Sequence, residues 1–302
     1  KAFLAYLFAL YLLSGADASD SLDFAESNPT FQLIRAGGHG DMLILESTAD
    51  NKTIKVEEAR KISHFLHMTA SETSHRVVMI DSVDDMNPSS ANAILKLLEE
   101  PPAHALLLLT SHAPGKLLPT IRSRCRHVRM PVLSDAKVEQ VLQHVAPEFS
   151  HIDVQQIAPL SEGSAGFALE LLAGDGLALY RKLLDILANW PTMRPKAMIA
   201  FAQELNNKKK DQNWALGTHC LLWMLAKLIQ CKASGATFPT ITGREDEIIP
   251  PILASSSLEK LMDLWENARA LIAQTEHVHL DKRTTILTLL EKLNKTNLAK
   301  AV

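Results

Sequence analysis

Hydrophobic and polar positions change character near the middle of the chain. Up to about residue 130, short apolar runs alternate with amphipathic stretches. Met42–Glu46 (MLILE), residues 76–80 (RVVMI) and residues 105–110 (ALLLLT) are rich in aliphatic residues and bounded by polar ones, the pattern of buried strands. Residues 127–130 predict a fourth strand. Between the strands, Val56, Ala59, Ile62, Phe65 and Leu66 fall on one helical face. Asn87 is a good N-cap with Pro88 at the first helical position, and the helix they open turns Ala91, Ile94, Leu95 and Leu98 inward until Pro101-Pro102 stops it. Strands alternating with helices predict a parallel sheet covered on both faces.

From Ser134 onward the strand signal disappears and helical periodicity takes over. Ser134 caps a segment carrying Val138, Val141, Leu142 and Val145. Ile157 and Leu160 lead through Glu162-Gly163-Ser164 into another with Phe167, Ala168, Leu171 and Leu172. Longer helices are predicted over 214–231, over 258–275 with Leu258, Leu261, Met262, Trp265, Ala268 and Ile272 inward, and over 281–293. Residues 234–251, with three prolines and two glycines, read as a loop, and Lys208-Lys209-Lys210 as a solvated connection between helices. The organisation is an α/β domain, then a small helical unit, then a larger helical bundle.

The first residues imitate a secretory signal, with Lys1, an apolar run over 2–13 and the small-x-small triplet Ala16-Asp17-Ala18. Read alone, that stretch suggests a secreted helical binding protein. The run is too short to span a bilayer. A helix buried on most sides and packed against the central sheet is the expectation the rest of the chain supports.

Composition narrows the classes. At 302 residues, 47% hydrophobic and 22% charged, the chain is no disordered segment, and its length suggests about two domains. Thirty-one basic and 34 acidic side chains leave a net charge of −3, so any grip on nucleic acid has to be local. Cys125, Cys220 and Cys231 form no CxxC pair, which argues against a disulfide scaffold or a structural zinc site and fits a reducing compartment. No metal site is expected. His64 and His67 share a helical face, but no further ligand completes a set. His219 and Cys220 lie in an apolar helical pattern and read as core, and Gly37-Gly38-His39-Gly40 reads as a turn.

The chemistry-bearing stretch begins with the strand that ends in Asp81. Nucleotide-hydrolysing α/β domains hold Mg²⁺ with such a carboxylate at the carboxyl edge of the sheet. After it come Asp84-Asp85-Met86, Ala91-Asn92-Ala93-Ile94-Leu95-Lys96, Leu98-Glu99-Glu100-Pro101-Pro102, and Leu118-Pro119-Thr120-Ile121 leading to Ser123-Arg124-Cys125. In these motifs and their order, residues 76–131 resemble the clamp-loader family of AAA+ proteins. A weaker resemblance runs from Lys1 to about Leu172 and returns at His279-Leu280-Asp281-Lys282. The resemblance implies a RecA-like AAA+ parallel-sheet domain over 1–132, a small helical lid over 133–176, and an all-α collar over 177–302 that joins five subunits into a ring. It aligns Lys1 with the phosphate-loop lysine, so the chain is expected to begin inside that loop, without its glycines or the strand before it.

The resemblance also implies what this chain does not do. Ala2 stands where active members carry the hydroxyl that meets Mg²⁺. Ser82 replaces the glutamate that activates water, and a serine hydroxyl is too weak a base near neutral pH. Asp84 or Asp85 could substitute only if the turn pointed them at the nucleotide. Gly163-Ser164-Ala165-Gly166 has glycine where the lid arginine stands. The expectation is no catalytic residue in cis, no bound cofactor, and Lys1 and Asp81 as vestiges of a nucleotide site. Arg124 aligns with the arginine that one subunit lends to ATP held by the next, flanked by Ser123 and by Cys125, a small packing residue. The bland alternative is that Arg122, Arg124, Arg126 and Arg129 are a solvated basic stripe. The implied partners are motor subunits of the gamma/tau type and a delta-type subunit in a hetero-pentamer, a sliding clamp, and primer-template DNA mostly through the complex. The resemblance implies no membrane and a cytoplasmic location. The other reading within the family is an ATP-hydrolysing motor subunit.

Overall fold

The computed structural model describes residues 1–15, 22, 27–47, 53–68, 75–207, 212–278 and 280–295. Ala16-Asp17-Ala18, Lys208-Lys209-Lys210 and His279 lie outside the described residues. The chain divides into two compact units, residues 1–130 and 131–302.

The first unit is α/β. Its elements run α1 (Ala2–Leu13), α2 (Pro29–Arg35), β1 (Met42–Glu46), α3 (Val56–His67), β2 (Arg76–Asp81), α4 (Pro88–Glu99), β3 (Ala105–Leu109) and α5 (Pro119–Arg122). The three strands form a parallel sheet in the order β1-β2-β3, with Met42 beside Val77 and Val77 beside Leu106. Strand β2 is central and covered on both faces, which is why its sequence is a continuous apolar run rather than an alternating one. Its side chains divide by parity. Val77 packs with Ala9, Leu10 and Leu13 of α1 and Ile34 of α2. Val78 and Ile80 pack with Ile62 and Leu66 of α3 and Ile94 and Leu97 of α4.

Local signals set the ends of these helices. The Asn87 side chain accepts from the Ser90 N–H at 2.8 Å, with Pro88 in the first turn, as the sequence predicts. Asn28 does the same for α2, accepting from Phe31 N–H at 3.1 Å ahead of Pro29, in a stretch whose polar composition hid the helix.

Two expectations in this unit are corrected. Residues 127–130 form no strand, because among the described residues no neighbouring strand takes their backbone groups, and they lie exposed. Helix α1 is buried on one side only. Ala9, Leu10 and Leu13 face the sheet, while Phe3 is 73% exposed and Leu4 and Phe8 also face outward, since one sheet face and α2 cover a single stripe of a helix.

The second unit is all-helical: α6 (Asp135–Val145), α7 (His151–Ile157), α8 (Ala165–Ala173), α9 (Gly176–Leu187), α10 (Pro195–Leu205), α11 (Gln212–Ser234), α12 (Glu245–Ser255), α13 (Leu258–Val278) and α14 (Lys282–Lys295). One hydrophobic cluster runs from Val138 to Leu293, so these helices share a core. Several polar groups inside it are paired, although the buried Asn213 amide nitrogen has no partner among the described residues. Tyr180 donates to the buried Glu245 carboxylate at 3.0 Å, and Trp223 donates to the Pro159 carbonyl at 3.1 Å.

The expected loop over 234–251 is shorter than predicted, because α12 begins at Glu245 and contains Pro250 and Pro251. Burial of Ile248, Ile249 and Ile252, together with three acidic residues in the first turn, outweighs the proline penalty. The inward stripe of α13 is Leu261, Leu264, Ala268, Ile272 and Thr275, and Met262 faces out instead. On α6, Val138 and Leu142 are buried whereas Val141 and Val145 are exposed. No described helix is long and apolar enough to cross a membrane.

Candidate functional site

Two groups of candidate residues lie at different levels of the α/β unit. The first is at the carboxyl edge of the sheet, where parallel strands release their last side chains. Asp81 ends β2, and Thr110 follows β3 in register beside it. The Thr110 hydroxyl donates to Asp81 Oδ1 at 2.5 Å. Lys1, at the start of α1, donates from Nζ to the Ser111 carbonyl at 2.7 Å. The structure thus brings Lys1 and Asp81 to adjacent positions, each already engaged by the loop after β3. Tyr6 of α1 faces the same edge. Its burial raises the phenol pKa, and the charges of Glu46 and Asp81 raise it further.

The turn after Asp81 decides what the nearby acids can do. Residues 83–85 form one 3-10 turn. The buried Ser82 hydroxyl donates to Asp84 Oδ2 at 2.7 Å and accepts from the Asp84 N–H at 3.1 Å. Asp84 also accepts from the His112 N–H at 2.5 Å and from the Ser111 hydroxyl at 3.0 Å. Partial burial pushes the Asp84 pKa up, but the His112 N–H and the hydroxyls of Ser82 and Ser111 outweigh it, and the net pKa lies below the ordinary carboxylate value. Asp85 accepts from the Ser47 hydroxyl at 2.7 Å. Both acids therefore work as ties between loops. The side chain at residue 2 is a methyl group.

Gly166, the second residue of α8, belongs to the helical unit. A Cβ there would meet nothing within 4 Å, so packing places no demand for glycine at this position.

The second group lies at the other end of α4. Arg124 follows α5, and its guanidinium forms an ion pair with Glu99, the last residue of α4. Nη1 donates to the Thr120 carbonyl at 2.9 Å and to the Ser123 hydroxyl at 3.3 Å. The Arg124 side chain remains 32% exposed. The turn at 83–85 joins Asp81 to the start of α4, whereas Arg124 is tied to its end.

Cys125 packs against the core that includes Ile121, and burial raises its thiol pKa, which keeps it protonated near neutral pH. Arg122, Arg126 and Arg129 are exposed. Thr110 and Glu99 take part in these arrangements although neither was singled out for a role from sequence. The end of a strand in register with Asp81 was a usable signal for Thr110. Nothing in the spacing of Glu99 and Arg124 foretold their pairing. His64 and His67 are exposed, while His39 is buried in its turn and accepts from the Asp41 N–H at 3.1 Å.

Comparison with known proteins gives a consistent result. Residues 1–134 match a family model described as DNA polymerase III, delta subunit. The DNA polymerase III subunit delta' of Pseudomonas aeruginosa is 36% identical over 146 residues, covering 48% of this chain and 44% of that protein. Subunit delta' of Escherichia coli is 34% identical over 158 residues, covering 52% and 47%. Subunit gamma of Buchnera aphidicola subsp. Schizaphis graminum is 36% identical over 132 residues, covering 42% and 36%. The chain spans less than half the length of these relatives.

Proposed function

We propose that the chain, whose residues 1–134 match the DNA polymerase III delta-subunit family model, is a non-hydrolysing, delta'-like subunit of the clamp loader. It lends Arg124 to ATP held by an adjacent motor subunit. The observation that carries this reading is the placement of Arg124: exposed, and held by Glu99, Thr120 and Ser123 rather than by any group of the Lys1–Asp81 edge. A guanidinium there serves a nucleotide on another chain better than one on its own. The residue type suits the task, since a permanently charged planar fork bridges phosphate oxygens and stabilises charge developing in phosphoryl transfer.

The donors at the Lys1–Asp81 edge do not fit hydrolysis of magnesium-bound ATP. Residue 2 offers no oxygen to a metal, Ser82 is no base, and Asp84 is held in hydrogen bonds that lower its basicity. In this reading residues 133–176 act as a lid and residues 177–302 as a collar shared with gamma/tau-type motors and a delta-type subunit in a five-membered ring. The ring places a sliding clamp on primer-template DNA as part of the polymerase holoenzyme in the cytoplasm, and the net charge of −3 suits a chain that meets DNA mostly through the complex.

A second reading, a hydrolysing motor of the gamma/tau type, is favoured by an identity to Buchnera gamma equal to that found for delta'. Nucleotide binding to the isolated chain separates the two. The first reading predicts no ATP turnover and no saturable ATP binding in the micromolar range, together with faster ATP hydrolysis by motor and delta-type subunits once this chain is added. Micromolar binding with turnover by the chain alone would establish the second.

A further inference from the structure

The ion pair between Glu99 and Arg124 assigns a role to a residue that the reading above leaves unused. Glu99 closes α4 just ahead of Pro101-Pro102, which fixes where the helix ends and so where the carboxylate stands. The carboxylate, on a side chain 48% exposed, meets Nη2 of Arg124. From the other side the Thr120 carbonyl accepts from Nη1 at 2.9 Å, one of the carbonyls left open at the end of the four-residue helix α5. The Ser123 hydroxyl takes a longer bond from Nη1 at 3.3 Å and itself donates to the Thr120 carbonyl at 3.2 Å. The guanidinium is therefore gripped by groups from two different helices. Of its five N–H donors, Nε–H and one hydrogen of Nη2 take no partner among the described residues.

We propose that Glu99 is a positioning residue for Arg124, holding the guanidinium in one orientation with unpaired N–H groups turned to the neighbouring chain. The role rests on the reading that Arg124 acts in trans. An unrestrained arginine spreads over many rotamers, and a group that must meet a transition state in another chain loses rate when its geometry is loose. An exposed ion pair adds little to folding stability, so a structural role and a positioning role predict different results.

The test uses the full chain in two measurements. In the complex reconstituted with motor and delta-type subunits, Glu99→Ala is expected to lower kcat for ATP about tenfold while KM stays within about twofold. Glu99→Gln, whose amide oxygen still accepts from the guanidinium, should recover most of the rate. Glu99→Ala should add nothing to Arg124→Ala, because two residues that act as one unit are not additive. In the isolated full chain, ¹⁵N relaxation of Arg124 Nε should show greater side-chain mobility in Glu99→Ala than in wild type. Unchanged mobility, or an equal loss of rate in the Arg124→Ala background, overturns the proposal. If Arg124→Ala leaves turnover untouched, the trans reading fails, and the relaxation measurement still decides whether Glu99 positions the arginine.

Discussion

Removing the Asp84 carboxylate separates a tie between loops from a replacement catalytic base. Asp84 accepts from the His112 N–H, the Ser111 hydroxyl and the Ser82 hydroxyl. Hydrogen bonds to a charged acceptor contribute about 1.5–3 kcal/mol each when both groups are buried. His112 is exposed and Ser111 is half-buried, so water replaces most of what those two donors lose. Ser82 is buried and keeps no such recourse. Asp84 itself is only partly buried, so counting that bond at the low end and the others as small gives a loss of about 1–2 kcal/mol for Asp84→Ala.

The four tryptophans, Trp190, Trp214, Trp223 and Trp265, all lie in the helical unit. Urea unfolding followed by far-UV circular dichroism therefore reports both units, and tryptophan fluorescence reports the helical one. Asp84→Ala should shift the dichroism transition of the α/β unit and leave the fluorescence curve in place. The folded pKa of Asp84 is depressed, so its contribution is present above the ordinary carboxylate pKa of about 4 and fades as pH falls through the folded value. Variant and wild type should converge in acid. A loss under about 0.5 kcal/mol at pH 7 would refute the reasoning, because a carboxylate not committed to these bonds is available as a base.

Other consequences follow from the helical unit. Tyr180→Phe deprives the buried Glu245 of its phenolic donor and should cost about 1.5–3 kcal/mol in urea unfolding. Burial, then the Glu245 charge, raises the Tyr180 pKa, so wild-type stability should fall as pH rises past about 10, by up to about 1.4 kcal/mol per pH unit from this group, and Tyr180→Phe should lack that slope. Gly163 has φ +77, and an added Cβ would stand 2.5 Å from the Leu133 carbonyl oxygen. Gly163→Ala should therefore lower the stability read by tryptophan fluorescence by roughly 2 kcal/mol or more, from left-handed strain plus backbone displacement.

Much of the α/β unit was legible because its signals are local. Asn87 with Pro88 marks the start of α4, and the runs 42–46, 76–80 and 105–110 mark strands buried in a parallel sheet. Where sequence reasoning went astray, partners distant in the chain decided the outcome. Residues 127–130 have strand-like residues but no ladder beside them among the described residues, and α1 is apolar all round yet finds cover for one stripe. In α12, Pro250 and Pro251 argue for a loop on propensity, and the burial of Ile248, Ile249 and Ile252 overrules them. The candidate site divides in the same way. Arg124, Lys1 and Asp81 were reachable through the family resemblance, whereas the pairing of Arg124 with Glu99 depends on how α4 and α5 meet and leaves no mark in either sequence stretch.

The most direct test of the division of labour is single-turnover ATP hydrolysis by the reconstituted loader, comparing wild type with Arg124→Ala. An arginine supplied in trans is worth about 10³–10⁵ in rate. Turnover at the one nucleotide site facing this chain should therefore fall by about 10³-fold or more, with assembly intact by size-exclusion chromatography and the remaining sites unaffected. Full turnover at every site in an assembled Arg124→Ala complex would contradict the account.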